Sequence, residues 1–412
     1  MSADVMVLGA GLVGIFTALN LAQQGQKVVL IDRGEPGQEA SSGNAGVISP
    51  WSIAPGCAPG VWRKLPGMLL GADKPLNVQA GFWPKMVPWG TRFLLNGTEK
   101  KYRKTANAMY GLCRPSVTLY KDWLTLVGHA KLITDSYYIH AFRHQNNANL
   151  DALDYAIRAE KGAEMQLVGR IGLAEVEPAL APIYDAAILI KGQARLLSPG
   201  RVGTVLAEYA CRLGVEIQCA DIGQVSREGG DWQAIGQGRV FRASKLVVCA
   251  GVWSEKLLRK TGLHIPLVAE RGYHLEIPSG HISLNHSVMD MAGKIVASSM
   301  KGGLRLAGAA EFAAIDAPPS EWRESLLRRQ AARMLPDLDL FHARFWMGSR
   351  PSLPDSLPII GALSPSEGLF GAFGHAHQGV MMAPMTGKVL TDVILGKKPS
   401  IDMSPYHPMR FS

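Results

Sequence analysis

Residues 4–32 read DVMVLGAGLVGIFTALNLAQQGQKVVLID, and this stretch decides the fold. Val5, Met6, Val7 and Leu8 form a short uninterrupted apolar run of the kind that fills a buried strand. Gly9-x-Gly11-x-x-Gly14 follows at once, and Ile15, Ala18, Leu19 and Ala22 then recur at helical spacing up to Gly25. A second apolar run, residues 27–31, ends on Asp32. Strand, glycine turn, helix, strand and terminal acid, in that order, make a βαβ unit built to hold a dinucleotide. Gly9 makes the tight turn, Gly11 admits a pyrophosphate to the N–H groups of the helix start at Leu12 and Val13, and Gly14 lets helix and strand touch. Asp32, 18 positions beyond Gly14, is placed to accept the hydroxyls of a ribose, with Arg33 beside it. The uncharged run from Val5 to Ala22 is not read as a membrane span, because it holds three glycines and Asn20. It also starts too close to Met1 to carry the basic flank of a signal peptide.

At 412 residues the chain exceeds one ordinary core, so two domains are expected. Hydrophobic residues at 47% and charged residues at 19% suit a globular enzyme with a large interior. Five cysteines, odd in number and without metal-type spacing, predict a reduced cytoplasmic setting with no disulfide and no metal site. The formal charge of +9 points to an anionic partner, either a membrane surface or an acidic redox protein. The basic residues are scattered and no nucleic-acid motif accompanies them, so nucleic acid is not expected.

Beyond Arg33 the stretch 34–46 is rich in glycine and serine and reads as a loop wrapping a polar ligand. Residues 50–97 mix Trp51, Trp62, Trp83 and Trp89 with Arg63, Lys64, Lys74, Lys85 and Arg92. Three readings stand for this segment: a lid over a pocket, a surface resting on lipid, or a packing layer between domains. Helical patterns run over 105–128, 151–161, 199–213 and 319–334. Antiparallel β alternation runs over 223–241, and further strands over 265–312. Nucleotide-type elements recur at the start, middle and end, so the domains are expected to be discontinuous.

Three further motifs accompany the fingerprint. Ser41-Ser42-Gly43-Asn44-Ala45-Gly46-Val47 follows the first βαβ unit. A strand over 246–249 ends in Ala250-Gly251-Val252-Trp253-Ser254. Gly348-Ser349-Arg350-Pro351 leads to Gly374-His375-Ala376-His377-Gln378-Gly379 and a last helix. Together they resemble the FAD-dependent D-amino-acid dehydrogenases, within the wider group of glycine oxidase, D-amino-acid oxidase and sarcosine oxidase. The resemblance implies a Rossmann-like FAD-binding domain of the glutathione-reductase type, α/β in class, with a β-rich α+β substrate domain. It assigns residues 1–50, 145–260 and 345–412 to the first domain and 51–144 and 261–344 to the second.

The resemblance also assigns roles. Gly9, Gly11, Gly14 and Asp32 bind the ADP half of FAD. Ser41, Ser42, Asn44, Ala45, Gly46 and Val47 run beside pyrophosphate and flavin, and Ala250, Gly251, Trp253, Gly348, Gly374, Gln378 and Gly379 complete the cofactor site. Arg350 clamps the substrate carboxylate, for which a guanidinium fork suits better than an ammonium; the competing reading is an ion pair with Asp355. His375 belongs to the loop at a helix N-terminus that favours negative charge on the flavin. Where glycine oxidase has an arginine this chain has His377. Glu270-Arg271-Gly272-Tyr273-His274 resembles a dehydrogenase segment in which Tyr273 meets the substrate, while Glu270 and Arg271 are read as a local pair.

The reaction so implied is hydride transfer from the substrate Cα to flavin N5, with electrons passing to a quinone or other non-oxygen acceptor. A D-amino acid or cyclic secondary amino acid such as D-proline is the expected substrate. The alternatives are an N-methyl amino-acid oxidase of the sarcosine type and a flavin-binding electron-transfer subunit. Cytoplasmic folding, attachment to the inner membrane face and oligomerisation are all consistent with the sequence.

Overall fold

The computed structural model describes residues 3–70, 75–278, 282–364 and 367–411, so Lys74 lies outside the described residues. Strand Ala3–Leu8 pairs in parallel with Val28–Asp32 on one side and Arg239–Val248 on the other. Parallel pairing demands a crossover, and helix Leu12–Gln23 supplies it. Glu216–Cys219 and Leu369–Phe373 extend the parallel run outward, and Ile359–Ser364 closes one edge antiparallel, within a sheet of eight strands. Both faces of this sheet are buried. Val5 and Val7 pack toward helices Leu12–Gln23, Pro199–Arg212 and Gly379–Ile394, whereas Met6 and Leu8 join Val29, Ile31 and Trp232 on the opposite side. That two-sided burial is why the run over 5–8 is continuous rather than alternating.

The pattern over 199–213 forms helix Pro199–Arg212, with proline in its first turn and Gly214 just past its end. The alternation over 223–241 forms antiparallel strands Gln224–Glu228, Asp231–Gly236 and Arg239–Val248. The helical pattern over 105–128 divides into Glu99–Cys113 and Ser116–Leu126. Pro115 marks the break, since it has no N–H to continue the ladder, while Arg114 before it keeps helical backbone and still donates to Tyr110 O at 2.9 Å.

The second sheet has ten strands. Its main path runs through Arg344–Ser352, Val268–Ile277, Gly303–Phe312, Ile295–Met300, Ser287–Asp290, Ile133–Phe142, Ala186–Leu196 and Val47–Ile48. Met165–Gly169 and Ala186–Leu196 fall within the 145–260 segment expected for the FAD domain, yet they hydrogen-bond into this second sheet. Side chains alternate between its two faces. Leu275, Val288, Ile295 and Leu306 pack against Leu327, Ala331 and Met334 of helix Glu321–Met334. On the other face Trp346, His274, Ala307, Val296, Met289 and His140 stand side by side across six strands.

The aromatic and basic segment divides its residues three ways. Strand Leu76–Val78 joins Gly303–Phe312, and Met68, Pro75 and Leu76 face the central cavity. Trp89 is buried against Phe93 and Phe312 at centroid distances of 5.3 and 5.4 Å. Trp62, Leu70, Trp83, Val87 and Leu95 are exposed. Among the described residues no helix is long and apolar enough to cross a membrane.

Candidate active site

A cavity of about 860 Å³ separates the carboxyl ends of the parallel strands from the face of the second sheet opposite its helix-packed side. Open α/β sheets bind ligands at those strand ends. At the nucleotide end Asp32 is held by two backbone donors: Ala10 N–H to Oδ2 at 2.6 Å and Gly34 N–H to Oδ1 at 3.0 Å. A carboxylate has about four lone-pair sites, so acceptor capacity remains. Helix Leu12–Gln23 begins without a side-chain cap, and its Leu12 N–H reaches Ser41 Oγ at 3.3 Å. Leu12 and Val13 line the cavity there. A Cβ on Gly11 would meet only Ser41 Oγ, at 3.7 Å, whereas one on Gly14 would lie 1.8 Å from the Gly9 carbonyl oxygen. Gly11 therefore faces open space, and Gly14 closes helix against strand.

The 41–46 loop is fixed from the second sheet. Arg305 Nη1 donates to Ser42 O at 2.6 Å and Asn44 O at 2.8 Å. His274 Nδ1 donates to Gly43 O at 3.1 Å, and Trp346 stacks on the His274 ring at 4.7 Å. Within the loop Ser42 Oγ donates to Gln38 O, and Gly46 N–H donates to Asn44 Oδ1. Ser41, Asn44, Ala45 and Val47 line the cavity; Ser42 and Gly46 shape the backbone behind it. Ala250, Gly251 and Trp253 line its opposite wall, where the Arg33 guanidinium lies 3.9 Å over the Trp253 ring and pairs with Glu39 at 2.5 Å.

The reaction end is built by Arg350. Its Nη1 donates to Glu270 Oε1 at 3.1 Å and to Ala309 O at 3.3 Å, while Ser352 Oγ donates to Glu270 Oε2 at 2.6 Å. The guanidinium lies flat over Gly272, where a Cβ would sit 2.2 Å from Nη2; only glycine permits that approach. Burial alone would raise the Glu270 pKa, but Arg350, His377 and the Ser352 hydroxyl overcome it and hold the carboxyl below its ordinary range. His377 lines the cavity beside this pair, its pKa lowered by burial against the opposing pull of Glu270.

His375 is buried, bonds Thr386 Oγ1 through Nε2 at 3.1 Å, and is lowered by burial to about 3. It is therefore neutral. Helix Gly379–Ile394 starts at the cavity with no side-chain cap, and the Gln378 amide nitrogen donates to Ser52 O at 2.8 Å. Gly348 lines the cavity between Trp346 and Arg350, and Gly374 packs on Leu353 outside it.

Three sequence readings change. Asp355 pairs with Arg410 at 2.6 Å, not with Arg350. Glu270 and Arg271 point to opposite faces of their strand, and Arg271 pairs with Glu311 at 3.2 Å with both side chains fully buried. Tyr273 is among the residues lining the cavity, but its side chain shares the Arg271 face: its hydroxyl donates to Glu311, its ring stacks on Phe345, and it packs with the core under the sheet. The apolar residues Leu275 and Ile277, two and four positions on, signal that orientation. Arg305 and Trp346 carry no local sequence signal, because their partners lie in the distant 41–46 loop.

The FAD dependent oxidoreductase family, DAO, matches residues 4–393 of the chain. A D-amino-acid oxidase from Bradyrhizobium diazoefficiens is 33% identical over 415 residues, covering 99% of this chain and 98% of its own. A D-amino acid dehydrogenase from the same organism is 29% identical over 408 residues, covering 97% of each. Glycine oxidase from Geobacillus kaustophilus shares the fold with a TM-score of 0.78 at 21% identity, covering 99% of both chains.

Proposed function

Because the chain belongs to the DAO family of FAD-dependent oxidoreductases, we propose that it dehydrogenates a D-amino acid or cyclic secondary amino acid. Arg350, lying over Gly272 within the cavity and held by Glu270, carries this reading. Its guanidinium supplies the carboxylate fork that every amino-acid substrate requires. The names of the two Bradyrhizobium relatives support the D-amino-acid class. The cavity fits FAD: Asp32 retains acceptor capacity for ribose, the N–H groups at Leu12 and Val13 suit pyrophosphate, and the uncapped start of helix Gly379–Ile394 suits the anionic pole of a flavin. When bound, FAD accepts the hydride that leaves the substrate Cα. Arg350 orients the carboxylate, neutral His375 holds the turn at the helix start, and the apolar wall formed by Met289, Val296 and Ala307 excludes water. In this reading the eight-stranded sheet holds FAD and the ten-stranded sheet holds the substrate.

Anaerobic mixing of the holoenzyme with D-, L-, cyclic and N-methyl amino acids tests the assignment. Bleaching of the flavin by D-amino acids or D-proline derivatives is expected, and bleaching by none of the panel would remove the substrate class.

A second observation favours a membrane-side acceptor such as a quinone. Trp62, Leu70, Val87 and Leu95 are 59%, 79%, 60% and 63% exposed, and Arg63, Lys64, Lys85 and Arg92 lie among them in the chain. Apolar residues interleaved with cations suit an anionic lipid surface. Cosedimentation with phosphatidylglycerol vesicles, lost in a Trp62→Ser, Leu70→Ser double variant, is the expected result; no binding by the unmodified protein would refute it.

A further inference from the structure

Among the described residues the substrate face of the second sheet carries a cation, Lys294, that makes no hydrogen bond or ion pair of its own. Lys294 stands in the turn between strands Ser287–Asp290 and Ile295–Met300 and lines the cavity together with Met289, Met291 and Val296. Its φ of 55° is a left-handed conformation that a long side chain seldom adopts, so the turn carries a conformational cost at this residue. Two carboxylates act electrostatically on it, Asp154 and Asp290, and each has another partner. Asp154 binds Arg158 at 2.9 Å; Asp290 binds Arg143 and also accepts the N–H groups of Ala292 and Gly293. Among the described residues no hydrogen bond or ion pair reaches the Lys294 ammonium. Lys294 is an exposed residue; desolvation at the cavity wall and the repulsion of Lys64 lower its pKa against the opposing pull of Asp154 and Asp290.

Register places the Lys294 backbone next to the backbone that the carboxylate clamp touches. Arg350 Nη1 reaches Ala309 O, and the adjacent Gly308 pairs with Ile295, the residue after Lys294. One strand spacing, about 4.8 Å, therefore separates the backbone that Arg350 touches from the backbone that bears Lys294. Small side chains at Ala307, Gly308 and Ala309 leave the space above that strand clear.

We propose that Lys294 receives a second carboxylate of the substrate, so that the preferred amino acid is dicarboxylic and of glutamate length. This rests on the amino-acid reading above: Arg350 takes the α-carboxylate and Lys294 the distal one, with the aliphatic chain over Ala307 and Val296. A neutral amide of the same shape lacks the charge that Lys294 is placed to meet.

The test compares glutamate, glutamine and norvaline, each as the enantiomer that reduces the flavin, by anaerobic stopped-flow with the holoenzyme. Glutarate and butyrate, which cannot be oxidised, are titrated in parallel by calorimetry. One charge-assisted hydrogen bond predicts that glutamate exceeds glutamine by about tenfold in kcat/KM, through KM. Lys294→Met should bring that ratio near one and abolish the preference for glutarate, leaving norvaline unchanged; Lys294→Arg should retain both preferences. A wild-type enzyme indifferent to the distal charge, or a ratio unmoved by Lys294→Met, overturns the proposal. Reduction by norvaline without discrimination at Lys294 leaves the amino-acid reading standing and removes this inference. Lys294-dependent glutarate binding without reduction by any amino acid does the reverse.

Discussion

Glu270 and Arg350 face each other on neighbouring antiparallel strands, with Arg350 Nη1 3.1 Å from Glu270 Oε1. The pair commits one corner of the guanidinium to the protein and leaves its other N–H groups for a ligand. It also means that removing either partner affects the other.

Arg350→Ala should abolish amino-acid turnover while the protein remains yellow. Losing two charge-assisted hydrogen bonds to a carboxylate predicts a fall in kcat/KM of about a hundredfold or more. Arg350→Lys keeps the counter-charge for Glu270 but loses the planar fork, so its activity should lie between the two. Dye-coupled kinetics read both, and unchanged kinetics in the alanine variant would sink the clamp.

Glu270→Gln should act on positioning rather than on charge recognition. Freed from its anchor, the Arg350 side chain binds a carboxylate at least as tightly but holds it less well, so kcat should fall about tenfold with KM not raised. Glu270 is also the group that raises His377 against burial, so any acid limb due to His377 moves to lower pH in the variant. A raised KM with unchanged kcat would contradict the anchoring role.

The parts of this site legible in the sequence are those whose cause is local. Gly9 to Asp32 is readable because turn, helix start and acid lie within one βαβ unit, and Arg350 is readable through its Gly-Ser-Arg-Pro context. Glu270 is 80 positions from Arg350. Only strand pairing joins them, so in sequence the adjacent Arg271 looked the better partner. Period-two alternation would have separated them, since Glu270, Gly272 and His274 share one face of the strand while Arg271, Tyr273 and Leu275 share the other. Arg305 lies 263 positions from Ser42, and no spacing rule connects an arginine to carbonyls so remote.

Arg305→Ala should weaken FAD retention. The two carbonyls it holds would lose their donor, and the 41–46 loop would lose its tether to the second sheet. Each such bond from a charged donor contributes about 1.5–3 kcal/mol, so FAD affinity is expected to drop by at least tenfold, as measured by recovery of free-flavin fluorescence on dilution. Retention equal to the wild type would show that the loop is held by other contacts.

Tyr273→Phe should cost stability rather than specificity. The hydroxyl donates to Glu311, a fully buried carboxylate that also accepts from Ser320 Oγ at 2.8 Å and Asn77 Nδ2 at 2.7 Å. Removing one donor from this network predicts a loss of about 1–3 kcal/mol in urea unfolding, with little change in KM. A large KM change with full stability would instead place the hydroxyl at the substrate.

Acidification should destabilise the fold before Glu270 and Glu311 titrate, although the Glu177 carboxyl, raised to about 7 by burial, takes up a proton in the folded state over the same window and offsets the effect of about one histidine. Burial lowers both His375 and His274 from 6.5 to about 3, with Arg305 adding to the shift at His274. The unfolded chain therefore binds protons near pH 6.5 that the folded chain refuses until about pH 3. Between those limits the unfolded state holds more protons, so stability rises with pH and falls on acidification, by about 1.4 kcal/mol per pH unit for each histidine. Glu270 and Glu311, both held below their ordinary 4.5, contribute stability that is complete above that value and is lost as pH falls through their depressed folded pKa values. Urea midpoints at pH 7.5, 6.0 and 5.0 should decline steadily below 6.5, and His375→Gln should reduce the slope by one proton's worth. A midpoint flat across that window would show that these imidazoles gain protons in the folded protein.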